Sequence, residues 1–214
     1  MKISLIGMAN SGKTYWSKKL NSRGFTSYSC DDMIEEELSP ELAGQGFSGI
    51  ADLARWMGMP YEPQYQRNSQ LYLDCECRVM QRVLDIVEAS PVEGEHIVVD
   101  TTGSVIYTSE EILERLKKHT LVIYIQTPST IQKRMYDDFL ACPKPVIWHD
   151  SFQMAGGQSV EEALASSYGD LLAYRSGRYE QFADIRVDYD HIRSPEFGVE
   201  DFLELIRREY DRVS

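Results

Sequence analysis

The sequence predicts an α/β fold, a parallel sheet with helices on both faces, and three observations carry that expectation. Short apolar runs alternate with longer helical stretches along the chain: Ile3–Ile6, Phe25–Tyr28, His96–Val99, Leu121–Ile125 and Ile185–Val187. Helix-start signatures fall in the intervals between them. A glycine-rich segment follows directly on the first run, where a strand turning tightly into a helix would need it. Strands separated by helices run parallel, and a parallel sheet is covered on both faces.

The first run delivers the chain into IGMANSGKT, residues 6–14. Gly7, Gly12, Lys13 and Thr14 fill the pattern G-x-x-x-x-G-K-[ST], the mark of a P-loop. The backbone N–H groups of Gly7, Met8, Ala9, Asn10, Ser11 and Gly12 would wrap a phosphate chain. Lys13 would reach the outer phosphates and the Thr14 hydroxyl would ligate Mg²⁺. A helix beginning near Lys13, with Trp16 and Leu20 at helical spacing, aims its positive end at the same anions. This constellation predicts binding of a nucleoside triphosphate.

The second and third runs end in carboxylates: Asp31 and Asp32 follow the second, and Asp100 ends the third in IVVDTTGS. Strand C-termini of a parallel sheet share one edge, where ligands bind. Three carboxylates are therefore expected near Thr14, one holding Mg²⁺ through water and another orienting or deprotonating an attacking hydroxyl. One of Asp31 and Asp32 is expected to cap the helix MIEEEL instead. Farther on, Thr108-x-x-Glu111 and Ser159-x-x-Glu162 read as capping boxes, and Thr127-Pro128 as a cap followed by proline at the first helical position. Residues 39–66, rich in Gly, Pro and Tyr, and residues 140–158, with Pro143, Pro145, Gly156 and Gly157, break the rhythm. They are expected to be loops, the first opening a substrate-binding insertion over 39–90 and the second forming a lid.

Composition sets the remaining bounds. A chain of 214 residues with 43% hydrophobic and 26% charged residues fits one soluble domain over 1–214. No apolar run is long enough for a membrane span, and Met1-Lys2 leads straight into a strand rather than a secretion signal. Cys30, Cys75, Cys77 and Cys142 lack CxxC spacing and the four histidines are scattered, which fits a reducing cytoplasm without a metal cage or disulfide framework. A formal charge of −12 argues against a general nucleic-acid surface, though one local cationic pocket would suffice for a small phosphorylated ligand.

These residues resemble a known family. LIGMANSGKT followed by SYSCDDMIEEEL is similar to the opening of shikimate kinase, a phosphate loop and then D-x-D-x-x-I-E. VVDTTGS occupies the place of that family's glycine-rich substrate loop, and LVIYIQTPSTIQKRM that of its fourth strand and the arginine opening the lid. PKPVIW stands where the lid R-P-L-L stands, and RSGRYEQFADIRVDYD matches R-x-x-x-Y and the last strand. The resemblance implies the nucleoside-monophosphate-kinase type of three-layer P-loop NTPase domain, a five-stranded parallel sheet in the order 2-3-1-4-5 with a lid. It implies ATP and Mg²⁺ as cofactors, with Arg134 and Arg193 flanking the adenine. It places Asp31 at the accepting hydroxyl, Gly103 in the substrate loop and Arg175 on a carboxylate of the acceptor.

The chain departs from the family pattern mostly at the acceptor end. Ser29 replaces the first aspartate of D-x-D, so its share of the metal falls to Asp32 or Asp100. The triple glycine is reduced to Thr101-Thr102-Gly103, and around Glu76 the sequence YLDCE lacks the arginine of the substrate motif. The lid arginine becomes Lys144, leaving transition-state charge to Lys13, Mg²⁺, Arg134 and Lys144. The reading is an ATP-dependent kinase acting on a hydroxyl of a small metabolite other than shikimate. Two alternatives stand beside it. One is a nucleoside or nucleotide kinase stacking a base on Trp56, Tyr61, Tyr65 and Tyr72. The other is a nucleotide-dependent regulatory or binding protein with weak transfer activity.

Overall fold

A computed structural model of the chain describes residues 1–91 and 94–213. The strands are β1 (Lys2–Ile6), β2 (Thr26–Ser29), β3 (Ile97–Asp100), β4 (Leu121–Gln126) and β5 (Ile185–Asp188). All pair in parallel, in the order β2-β3-β1-β4-β5. Each lies within a residue or so of its expected position; the inner strands β1, β3 and β4 are largely buried apolar runs, while the edge strands β2 and β5 are partly exposed. The helices are α1 (Lys13–Asn21), α2 (Cys30–Ala43), α3 (Gly49–Met57), α4 (Tyr65–Ala89), α5 (Glu110–His119), α6 (Gln132–Ala141), α7 (Val160–Phe182) and α8 (Val199–Val213).

Alternation along β1 divides the core. Ile3 and Leu5 face α1 and α8, packing with Trp16, Leu20, Phe202 and Ile206. Ile6 faces the other layer, where α2, α4, α5 and α7 contribute Ile34, Val79, Leu116 and Leu172. Ser4 shares that layer, and its buried hydroxyl is satisfied by the Thr120 hydroxyl at 2.8 Å. Among the described residues no helix is long and apolar enough to cross a membrane.

Local expectations fared unevenly. The Ser159–Glu162 capping box forms as expected at the start of α7. The box at Thr108 does not: Ser109 caps α5 by accepting from the Ile112 amide, while the Thr108 hydroxyl turns back to the Val105 carbonyl. Neither Asp31 nor Asp32 caps α2. Ser29 does, accepting from the Asp32 amide, which leaves both carboxylates in the first turn. Thr127-Pro128 leads into a short 3-10 turn (Ser129–Ile131) rather than capping α6, and the Thr127 hydroxyl finds no partner.

Residues 39–66 are largely helical where a loop was expected. α2 runs through Pro40 because Leu38 and Leu42 on either side stay buried, and tertiary burial outweighs the lost backbone donor. α3 follows, burying Leu53, Trp56 and Met57, before the 25 residues of α4 begin at Tyr65.

The inner stripe of α4 carries one charged residue into the core. Glu76, with 0% of its surface exposed, accepts hydrogen bonds from the hydroxyls of Thr102 and Ser104 in the loop after β3. The contact ties α4 to the loop that carries Gly103. Burial pushes the Glu76 carboxyl up to about 7, only partly offset by the two hydroxyls. The folded chain therefore binds a proton that the unfolded chain, with an ordinary value of 4.5, has already released. This group's contribution to stability falls as pH rises from about 4.5 to about 7. Glu76→Gln should remove that slope. The thermal midpoint of the variant, relative to the parent, should be higher at pH 8 than at pH 5, and equal differences at the two pH values would refute the assignment.

Candidate active site

The loop from β1 to α1 is shaped by backbone torsions that ordinary side chains resist. Gly7 has φ 143°, and a Cβ there would meet the Ile125 carbonyl oxygen at 2.9 Å. Gly12, at the N-terminus of α1, has φ 105°. Asn10, between them, also takes a positive φ of 62°. The loop can consequently lie close against β4 and turn directly into α1, whose N-terminus favours an anion.

Lys13 is buried and its ammonium donates to the carbonyls of Gly7 at 2.9 Å and Met8 at 3.0 Å. Burial lowers its pKa, opposed first by the nearby carboxylates of Asp100 and Asp31. Asp100 is buried at the end of β3, where desolvation raises its pKa against the pull of Lys13 and of the neighbouring Thr14 hydroxyl. One of its oxygens, Oδ1, has no hydrogen-bond partner. An orphaned buried carboxylate oxygen beside an exposed threonine hydroxyl fits a hard cation held jointly with phosphate oxygens. Among the described residues no three acidic, histidine or cysteine side chains could hold a metal by themselves.

The remaining expected groups sort clearly. A cleft of about 630 Å³ is lined by the loop residues Met8–Asn10 and Gly12–Thr14 and by Asp31, Asp32, Gly103, Lys144, Arg175 and Arg193. Asp31 is half-buried, and desolvation raises its pKa against the opposing charges of Lys13 and Lys144. Lys144 reaches across to the phosphate loop, donating to Asn10 Oδ1 at 2.8 Å. Arg193 lays its guanidinium over the Tyr189 ring at 4.3 Å. Arg134 is different: it is exposed on α6 and does not line the cleft.

Arg175 is buried where Gly103 makes room for it. A Cβ on Gly103 would stand 3.3 Å from an Arg175 Nη1, so even alanine would press on the guanidinium. The Tyr179 hydroxyl fixes this loop by donating to the Gly103 carbonyl at 2.5 Å. Arg175 Nη2 donates to the Ile147 carbonyl at 2.7 Å, while its Nε is buried with no partner.

The segment expected to be a lid is docked over the cleft. The Tyr65 hydroxyl accepts from the Trp148 amide at 2.7 Å and donates to the Val146 carbonyl at 3.2 Å. Trp148 itself is 1% exposed, so it anchors the segment in the core instead of covering a ligand. The proposed base-stacking quartet does not assemble. Trp56 is buried in the core, Tyr65 is occupied by the lid backbone and Tyr61 is largely exposed; only Tyr72 lines the cleft.

Sequence reasoning missed several lining residues. Glu35 is one turn along α2 from Asp31, and that spacing was its available signal. Ser104, Tyr168, Leu171 and Leu172 gave none, because core and cleft positions look alike on a helix or loop read without its partners.

Neither a protein-family model nor a curated protein matches the sequence. Solved structures do resemble the chain. Shikimate kinase from Bacteroides thetaiotaomicron has a TM-score of 0.60 at 15% identity, covering 97% of this chain and 98% of that one. Shikimate kinase from Acinetobacter baumannii in complex with shikimate gives 0.58 at 19%, over 97% and 90%. Dephospho-CoA kinase from Campylobacter jejuni gives 0.51 at 14%, over 97% and 96%. With the strand order and the glycine loop on β1, these likenesses give the chain the nucleoside-monophosphate-kinase type of P-loop fold.

Proposed function

We propose that this protein is an ATP-dependent kinase that passes the γ-phosphoryl group to a hydroxyl of a small metabolite. The observation that carries the reading is the sharing of one cleft by the phosphate loop, Asp31 and Arg175. Phosphoryl transfer asks a protein mainly to position groups and stabilise charge, and these residues supply both.

In this reading the loop amides bind the phosphate chain and Lys13 moves its ammonium from the Gly7 and Met8 carbonyls to the outer phosphate oxygens. Thr14 would hold Mg²⁺ with Asp100 or Asp32 in the outer shell; when bound, the ion neutralises charge on the transferred group. Asp31 orients the accepting hydroxyl and takes its proton, and a carboxyl with a raised pKa is a better base for that step than an ordinary one. Lys144, already at the loop through Asn10, adds positive charge where the family's lid has an arginine. Arg175, whose side chain lines the cleft, holds an anionic group of the acceptor with its guanidinium. Arg193 borders the nucleotide base; Arg134, outside the cleft lining, has no part in the reading.

Lys13→Ala should keep the fold and lose at least about 10²-fold in turnover, as removal of one transition-state donor does elsewhere. Nucleotide affinity and ATP consumption measured on the folded variant check this, and unchanged values would remove the basis of the proposal.

Asp31→Asn should lower kcat by about 10²-fold or more while ATP affinity stays near the parent's. If Asp31→Asn retains its turnover and Asp100→Asn does not, the base is Asp100.

Residues 140–158 would open to admit ligands and close to exclude water. Hydrogen exchange over the segment should slow on adding an unreactive ATP analogue, Mg²⁺ and acceptor together. Equal exchange with and without them would make it a fixed loop.

A further inference from the structure

A phosphate loop fixes one end of a nucleotide and leaves open what holds the base. Arg134 stands outside the cleft lining, and of Trp56, Tyr61, Tyr65 and Tyr72 only Tyr72 reaches it. Among the described residues three aromatic side chains line the cleft. Tyr72 and Tyr168 are buried, at 3% and 7% exposed, whereas Tyr15 shows 56% of its surface to solvent. Tyr15 is therefore the one broad π face of the cleft that a ligand can reach without disturbing the core.

Its neighbours give that ring a place. Tyr15 follows Lys13 and Thr14 in the first turn of α1. It meets Trp16 edge to face at 5.3 Å, and the ammonium of Lys19, one turn on, lies over it at 5.4 Å. Trp16 in turn meets Phe197 at 5.6 Å and stacks on Phe202 of α8 at 4.4 Å. Phe197 meets His191 at 4.8 Å, so this chain of rings seats residues 191–197 beside the start of α1. Arg193 lies within that stretch, lines the same cleft and rests its guanidinium on Tyr189 at 4.3 Å. Tyr15 and Arg193 thus share the end of the cleft between α1 and the segment that leads into α8. In the kinase reading Asp31, Gly103 and Arg175 take the acceptor, which leaves this end to the base.

Every nucleobase has a π face, and stacking on an aromatic ring tolerates any of them. A guanidinium plane lies flat on such a face as well. We propose that Tyr15 seats the base of the donor nucleotide by stacking, with Arg193 bordering the same base, in the place that Arg134 was expected to fill. The inference rests on the kinase reading for the nucleotide in this cleft, but it requires no phosphoryl transfer.

Two probes separate the base from the phosphates. One is an ATP analogue with a methylene bridge between its outer phosphates, and the other is inorganic tripolyphosphate, which has no base. Calorimetry on the full-length chain with Mg²⁺ gives the ratio of their affinities. The parent should favour the analogue by about tenfold or more, and Tyr15→Ala should cut that ratio by about fivefold or more, the lower end of what one base–aromatic stack contributes. Tyr15→Phe keeps the ring and should hold the parent's ratio to within about twofold. If Tyr15→Ala does not fold by circular dichroism, Tyr15→Gln, a better helix former than the tyrosine, is read in its place. An unchanged ratio in the folded ring-less variant would overturn the assignment. So would an equal loss for both probes, which would put the ring at the phosphates. If neither probe binds the parent, the inference falls together with the phosphate-loop reading. If the ratios come out as expected but no acceptor is ever phosphorylated, the base seat stands and the kinase reading falls.

Discussion

The buried ammonium of Lys13 is the interaction on which the rest of the site depends. A charge taken out of water costs several kcal/mol unless other charges and dipoles replace the lost hydration. Here the replacements come from separate parts of the chain: the carbonyls of Gly7 and Met8 in the loop, Asp100 at the end of β3 and Asp31 just past β2. Satisfying one cation thus brings three strand ends into fixed relation. It also leaves two desolvated carboxyls whose pKa values are raised beside it, so charge at the strand edge is finely balanced before any ligand arrives. A phosphate group entering this edge would offer Lys13 a stronger partner than two carbonyls.

A second set of constraints closes the cleft from above. The segment after α6 is held by backbone hydrogen bonds to Tyr65 on α4 and Arg175 on α7, not by its own secondary structure. Arg175 therefore meets two structures at once, the segment after α6 through Ile147 and the loop carrying Gly103. Tyr107 adds to this, with its ring under the Arg175 guanidinium at 5.3 Å and stacked on His149 of the same segment at 5.3 Å. A shift of the Arg175 guanidinium would disturb the seat of residues 147–149 at the same time.

The likeness to shikimate kinases and dephospho-CoA kinase is one of fold. The phosphate loop keeps every feature its geometry demands. Where the shikimate kinase pattern has a glycine run the chain has Thr101 and Thr102: Thr102 turns inward to Glu76, joined by Ser104, while Thr101 donates to the Leu5 carbonyl. Glu76 has no arginine partner there, and the two hydroxyls take that role.

Much of the fold was readable in the sequence because its signals are local or periodic. Five short apolar runs gave the strands, three of them largely buried and the two at the sheet edges partly exposed. The loop motif gave the first turn and the start of α1, since only glycine fits against Ile125 and at φ 105°. Strand-end geometry then placed Asp31 and Asp100 around Lys13, while the strand order and Arg175 came from the family resemblance. The failures share a cause as well. Which residue caps α2 or α5 depended on one rotamer choosing among neighbouring amides, and Ser29 and Ser109 won over Asp31, Asp32 and Thr108. Whether Pro40 ended a helix depended on the burial of Leu38 and Leu42, which only packing supplies. Arg134 sits on a helix whose rotation about its own axis leaves it in solvent, and no spacing in the chain fixes that rotation. The Glu76 contact joins residues 26 and 28 positions apart, so tertiary structure alone decided it.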